Sequence, residues 1–266
     1  MKRLLSALIL GAATVYVVLN APRFVGVLLI LAATLMAAHE MAGLLESAGC
    51  PMNRKTVLAA SLLLLGGSVL AGVDGLSAGL AAGGFLVLVS SIVEGSVKGA
   101  IGRSSSGVFV LFLPVWSLAH LVLFLSTSEE RMGLLFLLLC VWVSDTAAYY
   151  VGTAFGRRKL APSISPNKTV AGAVAGILGA VVTALLFRWF SLVHWPFPFV
   201  VFSGLFLSLL GQAGDLAESL VKRNAGVKDS GTLIPGHGGV LDRVDALLFT
   251  VPLFYYALLL LPGFPV

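Results

Sequence analysis

The sequence predicts an all-α, polytopic membrane protein of about nine transmembrane helices, and three observations carry that reading. Hydrophobic residues make up 58% of the 266 residues, charged ones 11%, and mean hydropathy is +1.02, far outside the soluble globular range. Apolar runs of about 17–25 residues recur along the chain, each long enough to cross a bilayer core of about 30 Å. Charges fall mainly in the short segments between the runs.

Taken in order, the first run, about 4–19, follows Met1-Lys2-Arg3 and ends in no small-x-small cleavage pattern, so it is read as an uncleaved helix. The second, about 24–46, holds His39 and Glu40 at depth, where a carboxylate faces a polar cavity or pairs with a cation. Structural pairing and catalysis are both open for Glu40. Gly66-Gly67 and Gly83-Gly84, in runs of about 57–73 and 76–93, permit close helix approach. A run at about 107–125 has few landmarks. The sixth, about 133–154, carries Ser144-Asp145, with Ala148, Gly152 and Gly156 continuing its face as small residues for tight packing beside a polar neighbour. Runs at about 169–190, 197–217 and 245–262 complete the set. Residues 1–130 read as an N-terminal helical region and 131–266 as a catalytic one, within a single integral-membrane unit. Neither a soluble domain nor an internal repeat of the transporter kind is visible. Cys50 and Cys140 lack metal-ligand spacing and suggest no disulfide.

Charge placement orients the chain. With the N-terminus inside and nine spans threaded, only Arg23, Arg131 and Arg188 of the 17 lysines and arginines fall outside. This positive-inside pattern predicts a cytoplasmic N-terminus, cytoplasmic loops around 219–244 and an outside C-terminus, in what reads as a bacterial inner membrane. The net charge of +5 then reflects topology and anionic lipid; no nucleic-acid partner is expected.

The candidate site gathers between Asp145 and Asp245. On the eighth span, Ser208, Gly211, Gln212, Asp215, Glu218, Ser219 and Lys222 recur at spacings of three and four, which puts them on one helical face. Next, Gly236-His237-Gly238-Gly239 sets glycines about a histidine, where backbone N–H groups can approach an anion closely. Asp242 and Asp245 share a face where the ninth helix begins. Carboxylates beside a phosphate site make physical sense when a divalent cation stands between them, and Mg²⁺ takes oxygen ligands. Asp215 and Asp242 are the natural pair, with Asp245 either a further ligand or a supporting carboxylate behind them; for Asp242, simple N-capping is the bland alternative. Lys222, Arg223, Lys228 and Arg243, with Lys168 from Ser165-Pro166-Asn167-Lys168, can screen a polyphosphate, although a basic cluster near a membrane also serves topology. Asp145 is open between metal binding, substrate contact and pairing with a cation. No P-loop, GxGxxG, HExxH or GxSxG pattern competes.

The run Ser219-x-x-Lys222-Arg223-x4-Lys228-Asp229-x-Gly231-x2-Ile234-Pro235-Gly236-His237-Gly238-Gly239-x2-Asp242-Arg243-x-Asp245 resembles the signature of the phosphatidate cytidylyltransferase (CDP-diacylglycerol synthase) family. The resemblance extends through Gly214-Asp215-Leu216-x-Glu218-Ser219, Ser165-Pro166-x-Lys168-Thr169 and Asp145-x3-Tyr149, over about residues 140–250. It implies CTP and phosphatidic acid as substrates and CDP-diacylglycerol and diphosphate as products. Mg²⁺ would be held by Asp215, Asp242 and Asp245, with a second metal or a monovalent ion left open. Lys222, Arg223, Lys228, Arg243 and His237 take catalytic roles in this reading. Asp145, Ser165, Lys168, Glu218, Ser219, Asp229, Gly238 and Gly239 bind substrate. One departure stands out: after Ser-Pro-x-Lys-Thr the family usually has a glutamate, where this chain has Ala171, so that carboxylate is dispensable here or supplied by another, such as Glu218. The alternatives are another CTP-using membrane enzyme, such as a polyprenol kinase, and a transporter. A homodimer through Gly/Ala-rich faces is compatible with the sequence.

Overall fold

The computed structural model describes residues 2–190, 192–231 and 238–261, with the backbone alone for 2–10. Its helices run α1 (Lys2–Asn20), α2 (Arg23–Ser47), α3 (Arg54–Val93), α4 (Ala100–Val110), α5 (Ser117–Leu123), α6 (Ser128–Phe155), α7 (Val170–Trp189), α8 (Phe197–Asn224), α9 (Leu241–Val244) and α10 (Leu247–Leu259). A π-helical segment, Leu111–Trp116, joins α4 to α5 without a break. Pro114 lies inside it: lacking an N–H and clashing with the preceding turn, proline cannot close the ordinary helical hydrogen bond, and here the turn is π-helical. Between α6 and α7 sits an antiparallel hairpin of β1 (Lys159–Ala161) and β2 (Ser165–Thr169).

Six helices among the described residues are long and apolar enough to cross a membrane. The expected nine spans are not reached on length and composition. One reason lies in α3. A straight helix of 40 residues would be roughly 60 Å long, twice a bilayer core. Instead it is folded back, because Ala71 and Gly72 leave helical geometry and Gly72 takes φ +58°, a conformation only glycine adopts cheaply. The two arms touch at Gly67 and Gly75, where a Cβ on either residue would collide with the other's carbonyl. This hairpin matches the separate runs expected at about 57–73 and 76–93. At the other end of the chain, α10 has 13 residues, about 20 Å, and buries Phe254, Tyr255 and Leu258 within the protein.

Lipid is as apolar as leucine, so helices in a membrane associate chiefly through close van der Waals contact. The small face of α6 illustrates this: Ala148, Gly152 and Gly156 pack on the start of α7, at Thr169 and Gly172, while Ser144 of the same helix meets Ser208 of the polar stripe on α8. Caps set the starts of these helices. Thr127 and Glu130 form a reciprocal capping box on α6, and the Thr169 hydroxyl accepts the Gly172 N–H at 3.1 Å on α7.

The two sequence halves share one core. Phe124 of the first half meets Tyr255 edge-on, at 5.2 Å between ring centroids, and stacks on Phe254. Phe254 in turn stacks on Phe136, which meets Trp195. Cys140, fully buried against the Ala180 carbonyl, is a packing residue.

Candidate active site

The polar side chains converge near the C-terminal ends of α2, α6 and α8, where the β-hairpin and α9 also lie. The charged stretch from Ser219 onward is not one loop. Helix α8 continues to Asn224, so Ser219, Lys222 and Arg223 belong to its last turns. The stripe expected on α8 is present, and each of its polar side chains has a partner. Ser208 and Ser144 share a hydrogen bond of 2.7 Å between buried hydroxyls. Gln212 donates to Ser208 at 3.0 Å and to the Ala173 carbonyl at 3.2 Å. Asp215 pairs with Lys168 at 2.7 Å and accepts the Ser219 hydroxyl at 3.3 Å.

One turn further, Glu218 is fully buried and forms an ion pair with Lys222. That contact is ionic: neither Glu218 oxygen meets hydrogen-bond geometry with a described residue. Lys222 also donates to Asp242 Oδ1 at 2.6 Å. Asp242 Oδ2 receives the Ser230 N–H and hydroxyl, each at 3.0 Å, and the Gly239 N–H at 2.7 Å. Burial opposes ionisation of Asp242, but the Lys222 ammonium and the two N–H donors outweigh it and hold its carboxyl down at about 2.

Asp145, Asp215 and Asp245 form the second part of the site. Their charges act on one another, and Lys168 also acts on Asp145. Gly214 brings α8 against the backbone of Asp245, which places neighbouring Asp215 beside it. Asp145 stays accessible although protein surrounds it closely. Asp242 and Asp245, expected on one face, divide their roles: the first turns to Lys222 and Ser230, the second toward Asp215 and Asp145.

Other expected residues are placed differently. The Arg223 guanidinium donates to the carbonyls of Ile164 and Val227, each at 3.2 Å, tying the β-hairpin to the end of α8. Ser165 opens β2 opposite Ala161. Lys228 and Asp229 are exposed and make no hydrogen bond or ion pair among the described residues, while Arg243 is exposed on α9. Gly238 takes φ +78° beside Asp242. His237 lies outside the described residues. Ala171 lines an outer groove with Val151, Phe155, Arg157 and Arg158. Glu218 is no substitute for a carboxylate there, since it is buried on Lys222.

Glu40 is the residue whose role sequence reasoning left open. Its carboxylate reaches from α2 to accept the Ser230 hydroxyl at 2.9 Å, Val240 N–H at 3.0 Å and Leu241 N–H at 2.8 Å. The only sequence signal was an acidic residue inside an apolar run.

A divalent cation suits part of this arrangement. Asp145, Asp215, Glu218, Asp242 and Asp245 surround Lys168 and Lys222, so carboxylates outnumber cations in this cluster, and an incoming phosphate would meet net repulsion. Among the described residues, no three acidic, histidine or cysteine side chains stand close enough to hold an ion by themselves. Mg²⁺ needs only one or two carboxylates, with water and substrate phosphate completing its shell. Each candidate ligand already has a partner: Asp215 holds Lys168 and Ser219, Asp242 holds Lys222, Ser230 and Gly239, and Asp245 accepts the Ala246 N–H. Asp215 and Asp242, the pair expected to share the ion, each carry a lysine that a bound cation would loosen.

Fold and site define a class: an integral-membrane helical protein with an acidic, lysine-bridged site at its helix ends. The chain belongs to the cytidylyltransferase family, which matches residues 1–261. It is 49% identical over 120 residues to the phosphatidate cytidylyltransferase of Bacillus subtilis (strain 168), covering 45% of each chain. Against the enzyme of that name from Staphylococcus epidermidis it is 37% identical over 175 residues, 66% of each. The one from Brucella suis is 44% identical over 180 residues, 65% of this chain and 63% of that one. The aligned stretches thus span about half to two thirds of these relatives' own length.

Proposed function

We propose that the protein is a phosphatidate cytidylyltransferase, converting CTP and phosphatidic acid to CDP-diacylglycerol and diphosphate. The observation that carries this reading is the site itself: a carboxylate cluster with lysines from two sides, built at membrane helix ends in a chain whose relatives bear that name. A phosphatidate oxygen attacks the α-phosphorus of CTP, one P–O bond forms, the bond to the β-phosphate oxygen breaks, and diphosphate leaves. The attacking phosphate is already ionised at neutral pH, so no general base is required. The barrier is the meeting of two anions, and electrostatic stabilisation dominates.

Mg²⁺, held by Asp215 and Asp242 with Asp245 as a supporting carboxylate, would supply Lewis-acid neutralisation of phosphate charge. Lys168 contacts a phosphate by exchanging part of its pairing with Asp215. Lys222, locked between Glu218 and Asp242, contributes a fixed positive charge. Exposed Lys228 and Arg243 meet the triphosphate from the loop side. The charged ends face the cytoplasm, where CTP is available, in keeping with the placement of lysines and arginines.

Product analysis with CTP labelled separately in the cytidine and γ-phosphate positions tests the reading. CMP incorporated into lipid with release of diphosphate is expected. Transfer of the γ-phosphate with release of CDP would instead identify a lipid kinase, and solute flux without chemical turnover a transporter.

A further inference from the structure

We infer that Glu40 is a positioning residue for the Asp242 side of the site, acting as a clasp between α2 and the segment on either side of Asp242. Helix α9 needs one. Its first N–H groups have no partner within the helix, and no side chain of its own segment caps it. Glu40, 200 residues away in sequence, accepts Val240 N–H with one oxygen and Leu241 N–H with the other. That second oxygen also takes the Ser230 hydroxyl, which stands 3.0 Å from Asp242 Oδ2. Ser230 has a single hydroxyl proton for two carboxylates, so Asp242 depends on the Ser230 N–H, Gly239 N–H and Lys222 for the remainder of its shell.

Two glycines are shaped to this contact. A Cβ at Gly231 would lie 2.7 Å from Glu40 Oε1, and one at Gly239 would collide with Glu40 Oε2 and the Ser230 hydroxyl. Backbone on both sides of Asp242 therefore closes on a single carboxylate from another helix. Glu40 touches neither Lys168 nor Asp215 among the bonds formed here; its action on the reaction passes through Ser230 and α9.

The inference rests on the cytidylyltransferase reading for its activity test, and a second test stands apart from it. In full-length protein with phosphatidate in mixed micelles, Glu40→Gln is expected to lower kcat on the order of 10–100-fold, the range typical when a partner that orients a site residue is lost. The thermal midpoint should stay close to wild type. Adding Ser230→Ala to Glu40→Gln should cost much less than Ser230→Ala alone, since both variants open the same clasp. Independently of activity, amide exchange at Val240 and Leu241 should quicken in Glu40→Gln. Wild-type exchange at those amides would overturn the clasp whether or not the protein turns over CTP. Unchanged kcat, strictly additive losses, or a loss that tracks a falling thermal midpoint would each overturn the positioning role. A wild-type protein with no cytidylyl transfer would sink the functional reading alone.

Discussion

At the scale of single residues, the central group is Lys222. It holds two carboxylates, one of them fully buried, so removing its charge leaves Glu218 without its cation and Asp242 with only its Ser230 and Gly239 donors. Lys222→Met should cost about 3–5 kcal/mol, the usual penalty for breaking a buried pair from one side. Thermal unfolding of the purified protein, with Lys228→Met as an exposed comparison, checks this. Asp215→Asn should abolish turnover without preventing membrane insertion; near-normal CDP-diacylglycerol formation would remove Asp215 from the metal site. For Asp242 the direction of the pH effect is determined. Its carboxyl sits at about 2, below the unfolded value of about 3.9, so its contribution to stability is present above pH 4 and is lost as pH falls toward 2. The stability difference between wild type and Asp242→Asn should be flat from pH 5 to 8 and shrink only in stronger acid, as unfolding measured across that range would reveal. Asp215 and Asp242 both stood out in the sequence as candidates because each sits at helical spacing beside polar neighbours. Their separate partners did not, since nothing in the chain order distinguishes Lys168 from Lys222 as the cation each would meet.

At the scale of elements, α3 shows how far a sequence pattern reaches. The two apolar runs and the break between them were legible, because a span has a limited length and Asp74 interrupts the hydropathy. Which glycine of a pair does the packing was not. A Cβ on Gly67 would collide with Gly75, whereas Gly66, its neighbour, faces open space. Gly67→Ala should therefore destabilise the hairpin by about 1–3 kcal/mol as an overpacked contact, while Gly66→Ala should be nearly neutral. Thermal midpoints of the two variants decide the matter, and equal midpoints would count against the hairpin contact. The same limit applies to α6. Its small-residue face was evident from spacing, but spacing does not choose between α7 and α8 as the partner.

At the scale of the whole molecule, the candidate site depends on separate helices being brought together. If the carboxylate excess is relieved by Mg²⁺, chelation should abolish turnover and added Mg²⁺ restore it, and thermal stability should rise with Mg²⁺ concentration by mass action. Full activity in chelator would remove the metal. By itself, the sequence determined that this is a helical membrane protein of this family, and it pointed to the stretch between Asp145 and Asp245 as the candidate site. Hydropathy and helical period are local properties, and they are written directly in the order of residues. Only the tertiary structure decided that Asp215 and Asp242 answer to different lysines, that Arg223 ties down the β-hairpin, and that Glu40 reaches across 200 residues to hold α9. Those outcomes depend on which helix ends meet, a choice made by shape and close packing among distant segments.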